Sequence, residues 1–403
     1  MKESLKLKDL PPYIFAQLDA LIHEKLDNGE ELHVLSKSDP DRPAHSQLIE
    51  TLCTQARDPI NHHYADFDGL KVFREQMVIW YRRHYGVTLN PEKEILPLQG
   101  SKEGIVHFCE AWLDPDDIAL IPSPAFPSYR TGTILAGGKP YFMPLRDPDF
   151  LPHFEDIPSE IAKKAKIMFL NYPNNPTGQI ATLDFFHTAV TFARENDIIL
   201  VNDHAYSMTY FKEGGAPSLL SVPGSLDLGI EFFTFSKAFH MAGWRLGMAV
   251  GNSEILNGLK IIETHVNAGI FNPIQYAGSE GLKLGLEKGF FHRDNSDYQK
   301  RLTTLVQFFN EQGWNLTVPE ATVYLWVPAP QGMNGEDFTK FLLDKAHVVA
   351  SPGVAFGEEG QYYVRFCVTY PLETIQRAIR AMKESFERHG VTAPQKHGIN
   401  AAK

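Results

Sequence analysis

Between residues 95 and 268, short apolar runs alternate with longer amphipathic stretches. The runs predict strands over Ile95–Gln99, Ile118–Ile121, Pro140–Pro144, Ile167–Asn171, Ile198–Asp203, Phe232–Ser236 and Gly247–Gly251. Helical spacing falls between them, over Ile105–Leu113, Leu183–Glu195 and Ser253–Ala268. Strands that are apolar along their whole length, alternating with helices, predict an α/β fold with a mostly parallel sheet covered on both faces. In such sheets ligands sit beyond the carboxyl ends of the strands, so the residues there are read first.

After about Phe291 the pattern changes. A helical stretch at Tyr298–Gln312 precedes three strand-like runs, Asn315–Val318, Val323–Val327 and Tyr362–Val368, and an amphipathic helix runs from about Leu372 to Arg388. This predicts a large domain over 45–290 and a smaller α+β domain, 291–403, completed by residues 1–44. The tail Val391–Lys403 has no periodicity and is expected to fray.

Composition narrows the classes. The 403 residues carry a formal net charge of -11, which leaves no basic surplus for nucleic-acid phosphates. Cys53, Cys109 and Cys367 are scattered without C-x-x-C spacing, so neither a metal site nor a disulfide framework is expected, and they read as small apolar fillers. Met1–Tyr13 lacks the apolar core of a signal peptide, and no window approaches 18 consecutive apolar residues. A cytoplasmic protein with no membrane contact is the expectation.

The chemistry lies at the strand ends. Strand Ile95–Gln99 runs into Gly100-Ser101-Lys102-Glu103-Gly104, a helix start whose free N–H groups suit an anion. Strand Ile167–Asn171 leads into Asn174-Asn175-Pro176-Thr177-Gly178, a turn stiffened by prolines that holds an Asn side chain at the sheet edge. Strand Ile198–Asp203 ends on an acid followed by Tyr206. Lys237 sits among Phe232, Phe233, Phe235 and Phe239, where desolvation favours the neutral amine and Schiff-base chemistry. Arg245 stands between Gly243 and Gly247, and glycines there imply close backbone approach. Arg365 interrupts an apolar strand, where its fork could bind a carboxylate bidentately.

A cofactor with an aldehyde, a phosphate and a pyridine nitrogen requires a set of this kind: a lysine for the aldehyde, an acid for the ring nitrogen, and a helix start with serine and arginine for the phosphate. The chain resembles fold-type I, class I aminotransferases from about Leu10 to Arg388. The resemblance implies pyridoxal 5'-phosphate carried covalently on Lys237, with Asp203 on the pyridine nitrogen and Asn175 and Tyr206 on the phenolic oxygen. It implies Gly100, Ser101, Lys102, Ser236 and Arg245 around the phosphate, and Phe126 stacked on the ring. Arg365 would take the substrate α-carboxylate, and Tyr64 would reach the phosphate of a neighbouring subunit, which implies a homodimer with shared active sites. The implied reaction moves an amino group between an L-amino acid and a 2-oxo acid, with 2-oxoglutarate or pyruvate as acceptor.

The runs at 135–145 and 229–237 are similar to LL-diaminopimelate aminotransferases and their alanine aminotransferase relatives. Three departures bear on the substrate. Ser38 stands where those families place a glycine whose backbone lies beside the substrate, Phe126 replaces a commoner tyrosine, and Thr369-Tyr370 follows Arg365 where an acid is frequent. Lys37 is a further cation beside Ser38, with a solvated lysine the simpler reading. A lyase or synthase acting at the β or γ carbon would use the same cofactor cradle. A regulator of this fold would need an added helix-turn-helix domain, for which about forty leading residues are too few.

Overall fold

The computed structural model describes residues 3–212 and 215–394. Seven strands form the large sheet: β1 (Ile95–Leu98), β2 (Ile118–Ser123), β3 (Lys139–Pro144), β4 (Ala165–Leu170), β5 (Ile199–Asp203), β6 (Gly229–Thr234) and β7 (Gly247–Gly251). Their spatial order is β1-β7-β6-β5-β4-β2-β3. All are parallel except β7, which runs antiparallel to both of its neighbours, β1 and β6. The expected α/β, mostly parallel sheet is therefore present.

Helices cover both faces because β-strand side chains alternate between them. On β6, Phe232 joins a core with Phe108, Phe169 and Leu259, under the helices Ser101–Trp112 and Ser253–Val266. Its neighbour Phe233 points into a second core with Trp80, Met77 and Leu282. The strand order changes direction between β2 and β4, since β3 lies on one side of β2 and β4 to β7 follow one another on the other, and residues following β4, β5 and β6 line one crevice.

A second, antiparallel sheet pairs Ser351–Pro352 with Tyr363–Cys367, and Tyr363–Cys367 with Tyr324–Pro328. Its core packs Leu325, Val364 and Phe366 against the helices His292–Glu311, Gly335–Ala346 and Leu372–His389. The chain's early segment joins this unit: His33–Val34 pairs in parallel with Val348–Val349, and the Cys367 N–H donates to the Leu35 carbonyl at 2.7 Å.

Two expectations need correction. Asn315–Val318 forms no strand, because the Asn310 side chain takes both backbone groups of Leu316, at 2.8 and 2.9 Å. A residue so clamped has nothing left to offer a ladder. The start of the tail is also held: the Thr392 carbonyl accepts from the Gln331 N–H at 3.1 Å, and Val391 and Ala393 pack on the small core. Residues 395–403, the rest of the expected frayed tail, lie outside the described residues. Among the described residues no helix is long and apolar enough to cross a membrane.

Candidate active site

The crevice is a cleft of about 850 Å³ between the large sheet, the small sheet and the early segment. Lys237, Asp203, Tyr206, Asn175, Ser101, Lys102, Phe126, Ser236, Arg245, Arg365 and Ser38 all line it. These residues span more than 300 positions of sequence, and the strand order brings them together.

Asp203 forms the floor. As the last residue of β5 it is 4% exposed, and its Oδ2 accepts from the Tyr129 hydroxyl at 2.8 Å. Its Oδ1 has no partner in the protein. Burial pushes the carboxyl pKa up to about 6, against the lowering pull of Tyr129, the Ala205 N–H and His204. The Asn171 amide braces the strand end by donating to the Asp203 carbonyl at 2.6 Å, while its side-chain oxygen accepts from the Asn175 N–H at 2.9 Å.

Lys237 is the third residue after the end of β6. Its Nζ donates to the Ser38 carbonyl at 2.9 Å and the Ser38 hydroxyl at 3.2 Å. Desolvation, opposed by Asp39 and Cys367 and aided by Arg365 and Arg245, lowers the ammonium pKa to about 8. A neutral amine is thus accessible near physiological pH.

Next to it lies an anion cradle. The helix Ser101–Trp112 begins without a side-chain cap, which leaves first-turn N–H groups free. Arg245, held at φ 56°, brings its guanidinium over this turn, with Nη1 3.5 Å from the Ser236 hydroxyl. Gly100 has φ 92°, a conformation that favours glycine, and a Cβ there would meet Arg245 Nη2 at 2.5 Å and push the guanidinium from its place. A Cβ on Gly247 would meet the Ser101 nitrogen at 2.9 Å, which is the close approach the glycines implied.

Arg365 forms the far wall. It is 4% exposed, with Nη1 donating to Asn175 Oδ1 at 2.8 Å and Nη2 to the Ser36 carbonyl at 3.0 Å. Its guanidinium carbon lies 4.4 Å from the Tyr324 ring centre and 4.6 Å from that of Phe356. Flat aromatic walls on such a fork fix its plane and leave its edge for a carboxylate.

Sequence reading passed over Tyr129, Tyr324 and Ser36. Tyr129 ends the Pro124–Tyr129 segment and reaches Asp203, and the Tyr324 hydroxyl pairs with that of Tyr206. Only Tyr129 had a local signal, as the second residue of the helix Ser128–Ala136 that follows Phe126. Two singled-out side chains do not meet the phosphate cradle as expected. Tyr64 is 90% exposed and does not line the cleft, and Lys102 turns its Nζ to the Tyr13 hydroxyl at 3.2 Å. Lys37 is not a free cation, because Asp19 pairs with it at 3.0 Å at the cleft mouth. Cys53 is exposed rather than a filler, whereas Cys109 and Cys367 are buried.

The residues fit pyridoxal phosphate on a specific ground. A buried carboxylate with one unpartnered oxygen at a cleft floor asks for a cationic N–H donor, and a protonated pyridine is one. A lysine with lowered pKa and an anion cradle line the same cleft. Fold and site together define a fold-type I pyridoxal-phosphate enzyme. The family model described as aminotransferase class I and II matches residues 31–382, and the chain belongs to that family. It is 42% identical over 384 residues to an LL-diaminopimelate aminotransferase of Moorella thermoacetica, covering 95% of this chain and 98% of that one. A relative with the same name from Syntrophobacter fumaroxidans is also 42% identical, over 94% of this chain and 97% of its own. Among solved structures, substrate-bound BacF from Bacillus subtilis superposes with a TM-score of 0.92 at 32% identity, covering 98% of this chain and 100% of that one. The protein is a pyridoxal-phosphate-dependent transaminase that moves an amino group between an amino acid and a 2-oxo acid.

Proposed function

We propose that the protein transaminates L-amino acids with a charged distal end, LL-diaminopimelate foremost, with 2-oxoglutarate or pyruvate as acceptor, glutamate and alanine being the other donors in range. The observation that carries the site assignment is a pair lining one cleft: the Lys237 amine with its lowered pKa, and the unpartnered Asp203 oxygen. The names of the relatives at about 42% identity support the substrate.

Bound pyridoxal phosphate supplies an electron sink for the pair left on the substrate α-carbon. Lys237 Nζ would take the α-proton as general base and return it as general acid on the far side of the substrate nitrogen. Asp203 would hold the ring nitrogen's proton through its free oxygen, and Tyr206 and Asn175 would supply hydrogen bonds to the phenolic oxygen. Ser101, Ser236, Arg245 and the backbone at Gly100 and Lys102 hold the phosphate, with Phe126 against the ring face. Arg365 fixes the α-carboxylate, so that the α-hydrogen is presented to one side.

The reading includes a homodimer in which Tyr64 completes the partner's phosphate site; Tyr64 is 90% exposed, with Ile60 at 65% and Phe67 at 50% close by in sequence. It also includes the division at residues 45–290 and a cytoplasmic location, where three free cysteines suit a reducing compartment. A donor panel tests the substrate: absorbance of the loaded enzyme is followed as single amino acids are added, with oxo-acid product measured. LL-diaminopimelate, glutamate and alanine should outpace tyrosine and phenylalanine; an aromatic donor in the lead overturns the assignment. Hybrids of Lys237→Ala and Tyr64→Phe chains should regain activity if sites are shared, and remain inactive if they are not.

A further inference from the structure

We infer that Ser38 is a positioning residue for Lys237: its hydroxyl and carbonyl together seat the free amine and tie it to the Tyr324–Tyr206 hydroxyl pair. The inference rests on Lys237 being the reactive lysine.

The two Ser38 oxygens, at 2.9 and 3.2 Å, receive the Lys237 amine. They draw the side chain toward the early segment. The Ser38 hydroxyl also neighbours the Tyr324 hydroxyl, which pairs with that of Tyr206. One serine therefore connects the amine to a phenol pair at the cleft floor.

Ser38 is itself held firmly. The Ser36 carbonyl accepts from Arg365 Nη2 at 3.0 Å and from Cys367 Sγ at 3.3 Å, and the Lys37 carbonyl accepts from the Thr369 hydroxyl at 2.9 Å. The strap that seats the amine is thus the one that braces the carboxylate fork. Around the amine, Asp39 and Cys367 favour the charged form, and Arg365 and Arg245 oppose it. Ser38 adds the neutral acceptors that fix where the amine rests. A freed lysine has four rotatable bonds, and two acceptors from one residue remove most of that freedom.

The test uses cofactor-free protein, an amine-directed acylating reagent and peptide mass spectrometry of Lys237 across pH. Ser38→Ala removes an acceptor that favours the ammonium form, so the midpoint should fall and labelling at pH 7 should rise about threefold. Ser38→Thr keeps the hydroxyl and should match the wild type. In the loaded enzyme, Ser38→Ala should shift the pH profile of kcat while leaving KM for the amino acid nearly unchanged. If Ser38→Ala does not fold by circular dichroism, Ser38→Gly takes its place in each measurement. An unmoved midpoint in the folded variant, or a Ser38→Thr midpoint displaced as far as that of Ser38→Ala, overturns the inference. Borohydride fixing of the cofactor on another lysine would instead remove the Lys237 reading beneath it.

Discussion

Asp203 and Glu231 lie on adjacent strands, where Asn202 is the register partner of Glu231, and both are shielded from solvent, at 4% and 0% exposure. Their surroundings send them in opposite directions. Glu231, on the back face of the sheet, accepts from the Ser218 hydroxyl at 2.7 Å, the Leu219 N–H at 2.8 Å, the Asn202 amide at 2.9 Å and the Tyr81 hydroxyl at 3.1 Å. His204 Nδ1 stands 3.5 Å away. Burial pushes the Glu231 pKa up, yet His204, Ser218 and Asn202 together bring it below the ordinary value. Asp203, on the cleft face, has one oxygen served and one not, and burial wins. The difference teaches that burial alone does not mark a functional acid. An incomplete shell does, because a structural carboxylate collects its partners from the protein while a ligand-binding one leaves a place for the ligand.

The largest expected effect tests the cleft face. Lys237→Ala should lower kcat roughly 10²- to 10⁴-fold, as loss of a general base does, with little change in melting temperature. Near-normal turnover would put the chemistry elsewhere.

Asp203→Asn should cost roughly 10²-fold in kcat, the scale of a lost electrostatic contact in a preorganised site. It should not destabilise the cofactor-free protein, since it relieves a buried, half-served charge. A sharp drop in melting temperature would erase the contrast with Glu231.

Glu231→Gln should show the reverse pattern, losing about 3 kcal/mol of stability by breaking a buried network while kcat changes little. The pH dependence sharpens this further. Asp203 has a folded pKa near 6, above its unfolded value, so its contribution favours folding in acid and is lost as pH rises from about 4 to 6, on the order of 3 kcal/mol. Glu231 is lowered on folding, so its contribution is present above the ordinary glutamate range and lost as pH falls. Melting curves of the cofactor-free variants should therefore diverge from wild type in opposite senses: the relative gain from Asp203→Asn grows as pH rises, and the loss from Glu231→Gln shrinks as pH falls.

The smallest effect comes from one hydroxyl of the back-face shell. Tyr81→Phe removes a single donor to Glu231 and should cost about 1 kcal/mol by denaturant unfolding, with unchanged kcat. An activity loss larger than the stability loss would mean that the two faces are coupled through the sheet.

What the sequence determined by itself is the frame and the chemical candidates. Gly247–Gly251 and Leu183–Glu195 were legible to the residue, because a strand buried on both faces is apolar along its length and an amphipathic helix repeats its apolar positions every three or four residues. Lys237, Asp203 and Asn175 stood out because a polar group at the end of such a strand conflicts with its surroundings unless something binds it. Tertiary structure decided everything that depends on partners. No local pattern distinguishes Asp203 from Glu231 as acids with incomplete and complete shells, since Ser218, Asn202 and Tyr81 come from three separate segments. Nor does any spacing place Ser38 against Lys237, 199 residues away, or Tyr324 against Tyr206, 118 away. Periodicity reports how each segment meets water, whereas a side chain's partner depends on which segments the strand order brings together, and that is a property of the whole chain.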